Sequence, residues 1–120
     1  MFQVEKVAII GSRDFMDYAV VKDAVLSQLE VSALKEIVSG GASGVDSLAE
    51  VLAAELGVKM MVFPADWARY GRSAGPIRNR QIVDRADFVL AFMKPTSRGT
   101  ANALAYCVKK GKPYHVVYVE

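Results

Sequence analysis

The chain has 120 residues, 52% of them hydrophobic, 23% charged and 9% aromatic, with a formal net charge of +2. Those proportions fit one globular domain over residues 1–120 and exclude intrinsic disorder, which needs low hydrophobicity and high net charge. One Cys and one His exclude a disulfide scaffold and the common structural zinc sites, so neither a metal nor a cofactor is expected.

Two hydrophobic periods alternate along the chain. Val4 to Ile10 is a short β-branched run ending at Gly11 and reads as a buried strand. Tyr18, Val21, Val25 and Leu29 then recur at helical spacing, with Asp17 placed as N-cap. Lys35 to Ser39 is a second strand, closed by Gly40 and Gly41. Val45, Leu48, Ala49, Leu52, Ala53 and Leu56 form a helical stripe stopped by Gly57. Val58 to Phe63 is a third strand, ended by Pro64. A polar and aromatic connection runs from Ala65 to Gly75, and Pro76 suits the first turn of a helix reaching about Arg85. Phe88 to Met93 is a fourth strand. Ser97 is placed to cap a helix over Gly99 to Lys110, stopped by Gly111, and Tyr114 to Val119 is a fifth strand.

Alternating elements with continuously apolar strands predict a parallel sheet with helices on both faces. Right-handed crossovers make this an α/β, Rossmann-like, doubly wound five-stranded sheet of order 3-2-1-4-5. Ligands of such sheets bind beyond the carboxyl ends of the strands, where the winding reverses, here between the first and fourth strands. The opening residues Met1 to Lys6 lack the basic start of a leader, and no apolar run approaches the length of a membrane span. A cytoplasmic location without membrane association is expected.

Three loops of small residues leave strands on that edge: Gly11-Ser12-Arg13-Asp14-Phe15, Gly40-Gly41-Ala42-Ser43-Gly44-Val45-Asp46 and Thr96-Ser97-Arg98-Gly99-Thr100. Glycine lets backbone approach a ligand closely, and helix N-termini aim free N–H groups at anions. Gly11, Ser12, Arg13, Gly40, Gly41, Ser43, Gly44, Ser97, Gly99 and Thr100 are therefore the candidate phosphate-binding residues. Each loop also has a structural reading, such as a capping box formed by Ser43 and Asp46. Neither the dinucleotide nor the Walker fingerprint is present. Trp67 and Tyr70 are candidates to stack on a base, and Asn79 to meet base or ribose. Charge is unevenly spread: residues 1–60 carry five basic and nine acidic side chains, net −4, and residues 61–120 carry ten and four, net +6. The cluster Arg69, Arg72, Arg78, Arg80, Arg85, Lys94 and Arg98 is expected to flank the ligand edge. Met60, Met61 and Phe63 fit either core strand positions or a homodimer contact.

The ordered set Gly11-Ser12-Arg13-Asp14-Phe15, Gly40-Gly41-Ala42-Ser43-Gly44-Val45-Asp46, Trp67…Tyr70-Gly71, Ala74-Gly75-Pro76-Ile77-Arg78-Asn79, Asp87 and Ser97-Arg98-Gly99-Thr100 resembles the YspA-like, cpYpsA-related family of the SLOG superfamily. The resemblance spans essentially the whole chain. It implies a Rossmann-like fold that binds a nucleotide or nucleotide-derived ligand, as a sensor module for example. Two branches of the superfamily imply alternatives. In the LOG phosphoribohydrolases a P-G-G-x-G-T-x-x-E motif and an upstream Arg cleave nucleotide N-glycosidic bonds. Arg78, Gly99 and Thr100 match parts of that pattern, but Ala103 stands where the Glu would be. Hydrolysis here would fall to Asp46, with Arg78 as the second catalytic candidate and Asp14 and Asp66 as other available carboxylates. DprA-like proteins share the first two loop motifs and bind single-stranded DNA, which implies nucleic acid as a further partner class.

Overall fold

The structure, a computed structural model, describes residues 3–120, so Met1 and Phe2 of the opening stretch lie outside it. Strands β1 (Lys6–Gly11), β2 (Glu36–Ser39), β3 (Lys59–Val62), β4 (Phe88–Met93) and β5 (Tyr114–Tyr118) form one parallel sheet of order β3-β2-β1-β4-β5. Between them run α1 (Tyr18–Gln28), α2 (Val45–Leu56), a single-turn α3 (Trp67–Tyr70), α4 (Ala74–Arg85) and α5 (Arg98–Lys110). The α/β doubly wound fold and its strand order are as expected from the alternation of periods.

Successive strand residues face opposite sides of the sheet. Val7 and Ile9 of β1 join Ile37, Leu90 and Phe92 in one core under α1 and α2, with Val21, Val25, Leu48 and Leu52. Ala8 and Ile10 join Val38, Val89 and Ala91 in a second core under α4 and α5, with Ile82, Val83, Ala103 and Cys107. Met60 packs against the first core and Met61 and Phe63 against the second, all three partly buried.

Helix ends follow sequence signals in part. Asp17 caps α1 by accepting from the Val20 amide, and left-handed Gly57 and Gly111 close α2 and α5. The expected capping box does not form. Gly44 is the N-cap of α2, the Ser43 hydroxyl donates to the Arg13 carbonyl (3.1 Å), and Asp46 accepts from the Ala42 amide (3.0 Å). Ser97 sits at the N-cap of α5, but its hydroxyl accepts from the Lys94 amide (3.0 Å) instead of a helix N–H. The connection after β3 is more ordered than its polarity suggested: Asp66 caps α3 by accepting from the Arg69 amide (3.1 Å). A 3₁₀ turn over Gly71–Ser73 then leads into α4, which starts at Ala74 rather than at Pro76.

The amino end of the sheet holds an ion pair around a buried carboxylate. Glu36, 4% exposed, accepts from Arg85 Nε (2.9 Å) and Nη2 (3.0 Å), with Lys59 Nζ at 3.5 Å. Arg85 thus belongs at the end opposite the ligand edge, which corrects its grouping with the cluster expected there. The Arg85 hydrogen bonds hold the Glu36 carboxyl below its ordinary range, against the opposing effect of burial. Arg85→Met is expected to lower the urea midpoint at pH 7, because it leaves a buried carboxylate with only the more distant Lys59 as partner. A carboxyl held low stabilises the fold above its unfolded value of 4.5 and loses that contribution as pH falls through the folded value. The gap between wild type and variant in urea unfolding should therefore narrow on acidification below about pH 4.

Candidate functional site

At the carboxyl ends of β1 and β4 the three loops meet around a cavity of about 660 Å³. That volume lies within the roughly 300–1,000 Å³ of small-molecule sites. Its apolar floor is Ile10, Ile82 and Ala103, and its polar walls come from all three loops and from α4. The loops are fastened to one another first. The Ser12 amide donates to the Phe92 carbonyl (3.1 Å) and the Val45 amide to the Ser12 carbonyl (3.1 Å), tying β1, β4 and α2 together at the switch point.

Some of the polar groups around the cavity are already engaged by one another. The Ser12 hydroxyl donates to Asp14, whose carboxylate also meets Lys94 Nζ at 3.0 Å. These two partners, Ser12 foremost, hold the Asp14 carboxyl below its ordinary range. Ser43 donates to the Arg13 carbonyl. A hydroxyl has one proton, so Ser12 and Ser43 have none left to donate. The Ser97 hydroxyl, in contrast, accepts from Lys94 and keeps its proton. Gly99 and Thr100 lie in the first turn of α5, where backbone N–H groups have no intrahelical partner. The third loop therefore keeps a free hydroxyl proton together with its first-turn amides, and Arg98 beside it adds a cation.

The second loop is wrapped on itself. Asp46, 6% exposed, accepts from the Ala42 amide, and the Gly40 amide also favours its charged form. Its carboxylate occupies the place an anion would take in that loop. Burial nevertheless pushes the Asp46 carboxyl up, opposed first by Ala42 and then by the charge of Arg78. Arg78 lies in the second turn of α4, because the helix begins at Ala74 and not at Pro76. Its Nη1 donates to the Gly40 carbonyl (2.9 Å) and its Nε to Asn79 Oδ1 (3.2 Å). Burial holds the Arg78 guanidinium below its ordinary value, and the charge of Arg13 acts in the same direction. An added anion here would offset both effects.

Asn79 connects the two halves of the site. Its Oδ1 holds Arg78 and its Nδ2 donates to the Gly99 carbonyl (3.2 Å) and to Asn102 Oδ1 (3.3 Å). Trp67, 51% exposed, stands over Gly75 at the rim of the cavity. Among the expected residues, Gly11, Ser12, Arg13, Asp46, Trp67, Arg78, Asn79, Ser97, Gly99 and Thr100 all line this cavity. Gly40, Gly41 and Ser43 line an adjoining smaller one, whereas Gly44 and Tyr70 line neither. The Tyr70 ring lies 5.0 Å from the Arg69 guanidinium instead. Asn102 was not singled out in the sequence, whereas Lys94 stood in the basic cluster expected at this edge. The usable signal for Lys94 was its place directly after β4, on the ligand edge. No group of three or more His, Cys, Asp or Glu side chains suited to a metal occurs among the described residues. No described helix is long and apolar enough to cross a membrane.

Residues 5–70 match the YspA, cpYpsA-related SLOG family. Gene 61 protein of Mycobacterium phage D29 is 34% identical over 117 residues, which cover 92% of this chain and 94% of that protein. The X-ray structure of DNA processing protein A (DprA) from Streptococcus pneumoniae superposes with a TM-score of 0.56 at 19% identity. That match covers 92% of this chain and 58% of the DprA chain, so this chain spans a little over half of its length. At that identity the likeness is one of fold.

Proposed function

Because the chain belongs to the YspA, cpYpsA-related SLOG family, we propose that it is a cytoplasmic domain that binds a nucleotide or nucleotide-derived ligand in the larger cavity. The observation that carries this reading is the division of labour around that cavity. Unspent donors, Ser97 and the first-turn amides of α5, line the same cavity as Arg13, Arg78 and Arg98, while Asp14 is already neutralised by Lys94. A phosphate fits between them. The apolar floor under Trp67 suits a base or sugar face. In this reading Asn79 orients Arg78 and the start of α5, and Asp46 shapes the loop behind them.

Trp67 is the one tryptophan of the chain and reports on its own site. Nucleoside monophosphates, nucleoside diphosphates and cyclic nucleotides are expected to change its fluorescence and to release heat in calorimetry, with saturation in the micromolar range. Silence across the whole panel by both measurements overturns the proposal.

The hydrolytic alternative needs a carboxylate at the ribose. Ala103 puts a methyl group in the cavity floor, and the Asp46 carboxylate is engaged by its own loop, so binding is the better supported reading. Single-stranded nucleic acid is the second reading, favoured by the exposed Arg69, Arg72 and Arg80 beyond Trp67. Its mark would be an affinity for oligonucleotides that falls steeply with salt.

A further inference from the structure

Beside the larger cavity lies a second of about 300 Å³, and the two share a wall formed by Arg13, Ala42, Trp67 and Arg78. Gly40, Gly41, Ser43, Pro64 and Ala65 complete the smaller one. These are residues of the second loop and of the turn after β3, so the compartment lies on the β2–β3 side of the switch point.

Its chemistry differs from that of the larger cavity. The Ala42 amide is turned to Asp46, the Gly40 carbonyl to Arg78 and the Ser43 hydroxyl to Arg13. What the smaller compartment offers is bare peptide, Pro64, Ala65 and Trp67, a lining for an uncharged group such as a sugar. Its cations, Arg13 and Arg78, both stand in the shared wall. Among the described residues, Arg78 Nη2 has no hydrogen-bond partner, and neither does the Arg13 guanidinium. Two arginines with unspent donors at the junction of two compartments mark the place of an anion that joins two halves of one molecule.

We infer that the smaller cavity is the second compartment of the ligand site, and that the ligand is a nucleotide whose phosphate chain carries a further organic group, such as a nucleoside diphosphate ester. This rests on the nucleotide reading above. The nucleoside half lies in the larger cavity, the phosphates lie between the α5 N-terminus and the two arginines, and the second group fills the smaller cavity.

Calorimetry with matched pairs tests it: ADP against ADP-ribose, and UDP against UDP-glucose. The esterified member of at least one pair is expected to bind ten-fold or more tightly than its free diphosphate. Ala65→Leu, which fills the smaller compartment, is expected to reduce that ratio to about one. Equal affinities within both pairs in the unaltered protein overturn the inference and leave the nucleotide reading standing. Failure of all four to bind, together with the wider panel, overturns both. A ratio that survives Ala65→Leu, or a variant that weakens both members alike, overturns the assignment of the smaller cavity. The wild-type ratio decides the matter even if that variant folds poorly.

Discussion

Arg78→Ala is expected to weaken ligand binding by about 10- to 100-fold, the size of a lost charge-assisted hydrogen bond of about 1.5–3 kcal/mol. The side chain is half-buried, held at Nη1 by the Gly40 carbonyl and at Nε by Asn79, so its remaining donors are presented in fixed directions. Arg78→Lys should recover only part of the loss, because an ammonium keeps the charge but not the fork. Gly40 supplies a more discriminating test. A Cβ at position 40 would overlap Arg78 Nη1 and come within 2.9 Å of Cζ and 3.0 Å of Asp46 Oδ2. What it strikes first is the far end of a flexible side chain, which can move aside at a cost of about 1–3 kcal/mol in stability. Gly40→Ala should therefore fold, displace the guanidinium and reproduce most of the binding defect of Arg78→Ala. The double variant should bind no worse than Arg78→Ala alone, since the side chain that the methyl displaces is gone. Calorimetry on the four proteins reads this cycle. Additive losses would show that Gly40 serves the ligand directly, and that Arg78 is not what its missing Cβ accommodates.

The scaffold was legible because its signals are local or periodic. Continuously apolar runs such as Phe88 to Met93 announce strands buried on both faces, and the 3-4 stripe of α2 announces a helix that covers them. Their order follows from the handedness of crossovers. The cavity was legible as a place, the carboxyl edge between β1 and β4, but its free and engaged groups only in part. Which hydroxyls stay free depends on partners far away in the chain: Ser43 is spent on Arg13, thirty positions earlier, and Asp14 is paired with Lys94 from the end of β4. No window of sequence contains those pairs. The arginine cluster shows the same limit. Arg78 and Arg85 share α4 seven residues apart, a separation of about 10 Å along the axis. One faces the ligand edge and the other closes on Glu36 at the opposite end of the sheet. Counting Arg residues by position along the chain merged two roles that the helix axis separates. The order within the connection after β3 was missed for another reason: a single turn has too few residues to show a period.

Gly44→Ala is expected to be the most damaging single methyl in the chain, costing about 3 kcal/mol or more. Two independent effects add there. Gly44 has φ 72° and ψ −128°, a region that residues with a Cβ enter at a cost of about 1–3 kcal/mol. The Cβ would also run into the backbone of the first loop, at the carbonyls of Ser12 and Arg13. Backbone cannot turn aside as the Arg78 side chain can, and overpacking against it costs about 1–3 kcal/mol more. The collision falls where the Val45 amide meets the Ser12 carbonyl, so relief requires the first two loops to separate at the switch point. For a domain whose whole stability is about 5–15 kcal/mol, the urea midpoint should fall by roughly 1–3 M. Gly99→Ala provides the contrast. A Cβ at Gly99 meets nothing within 4 Å, and alanine is the better helix former by about 0.5–1 kcal/mol. Its midpoint should hold or rise slightly. If Gly44→Ala unfolds within about 0.5 M of wild type, the two loops are not pressed together as the structure has them. The alignment of Arg13 with Arg78 across their junction would then lose its support, since that alignment depends on the first loop resting against position 44.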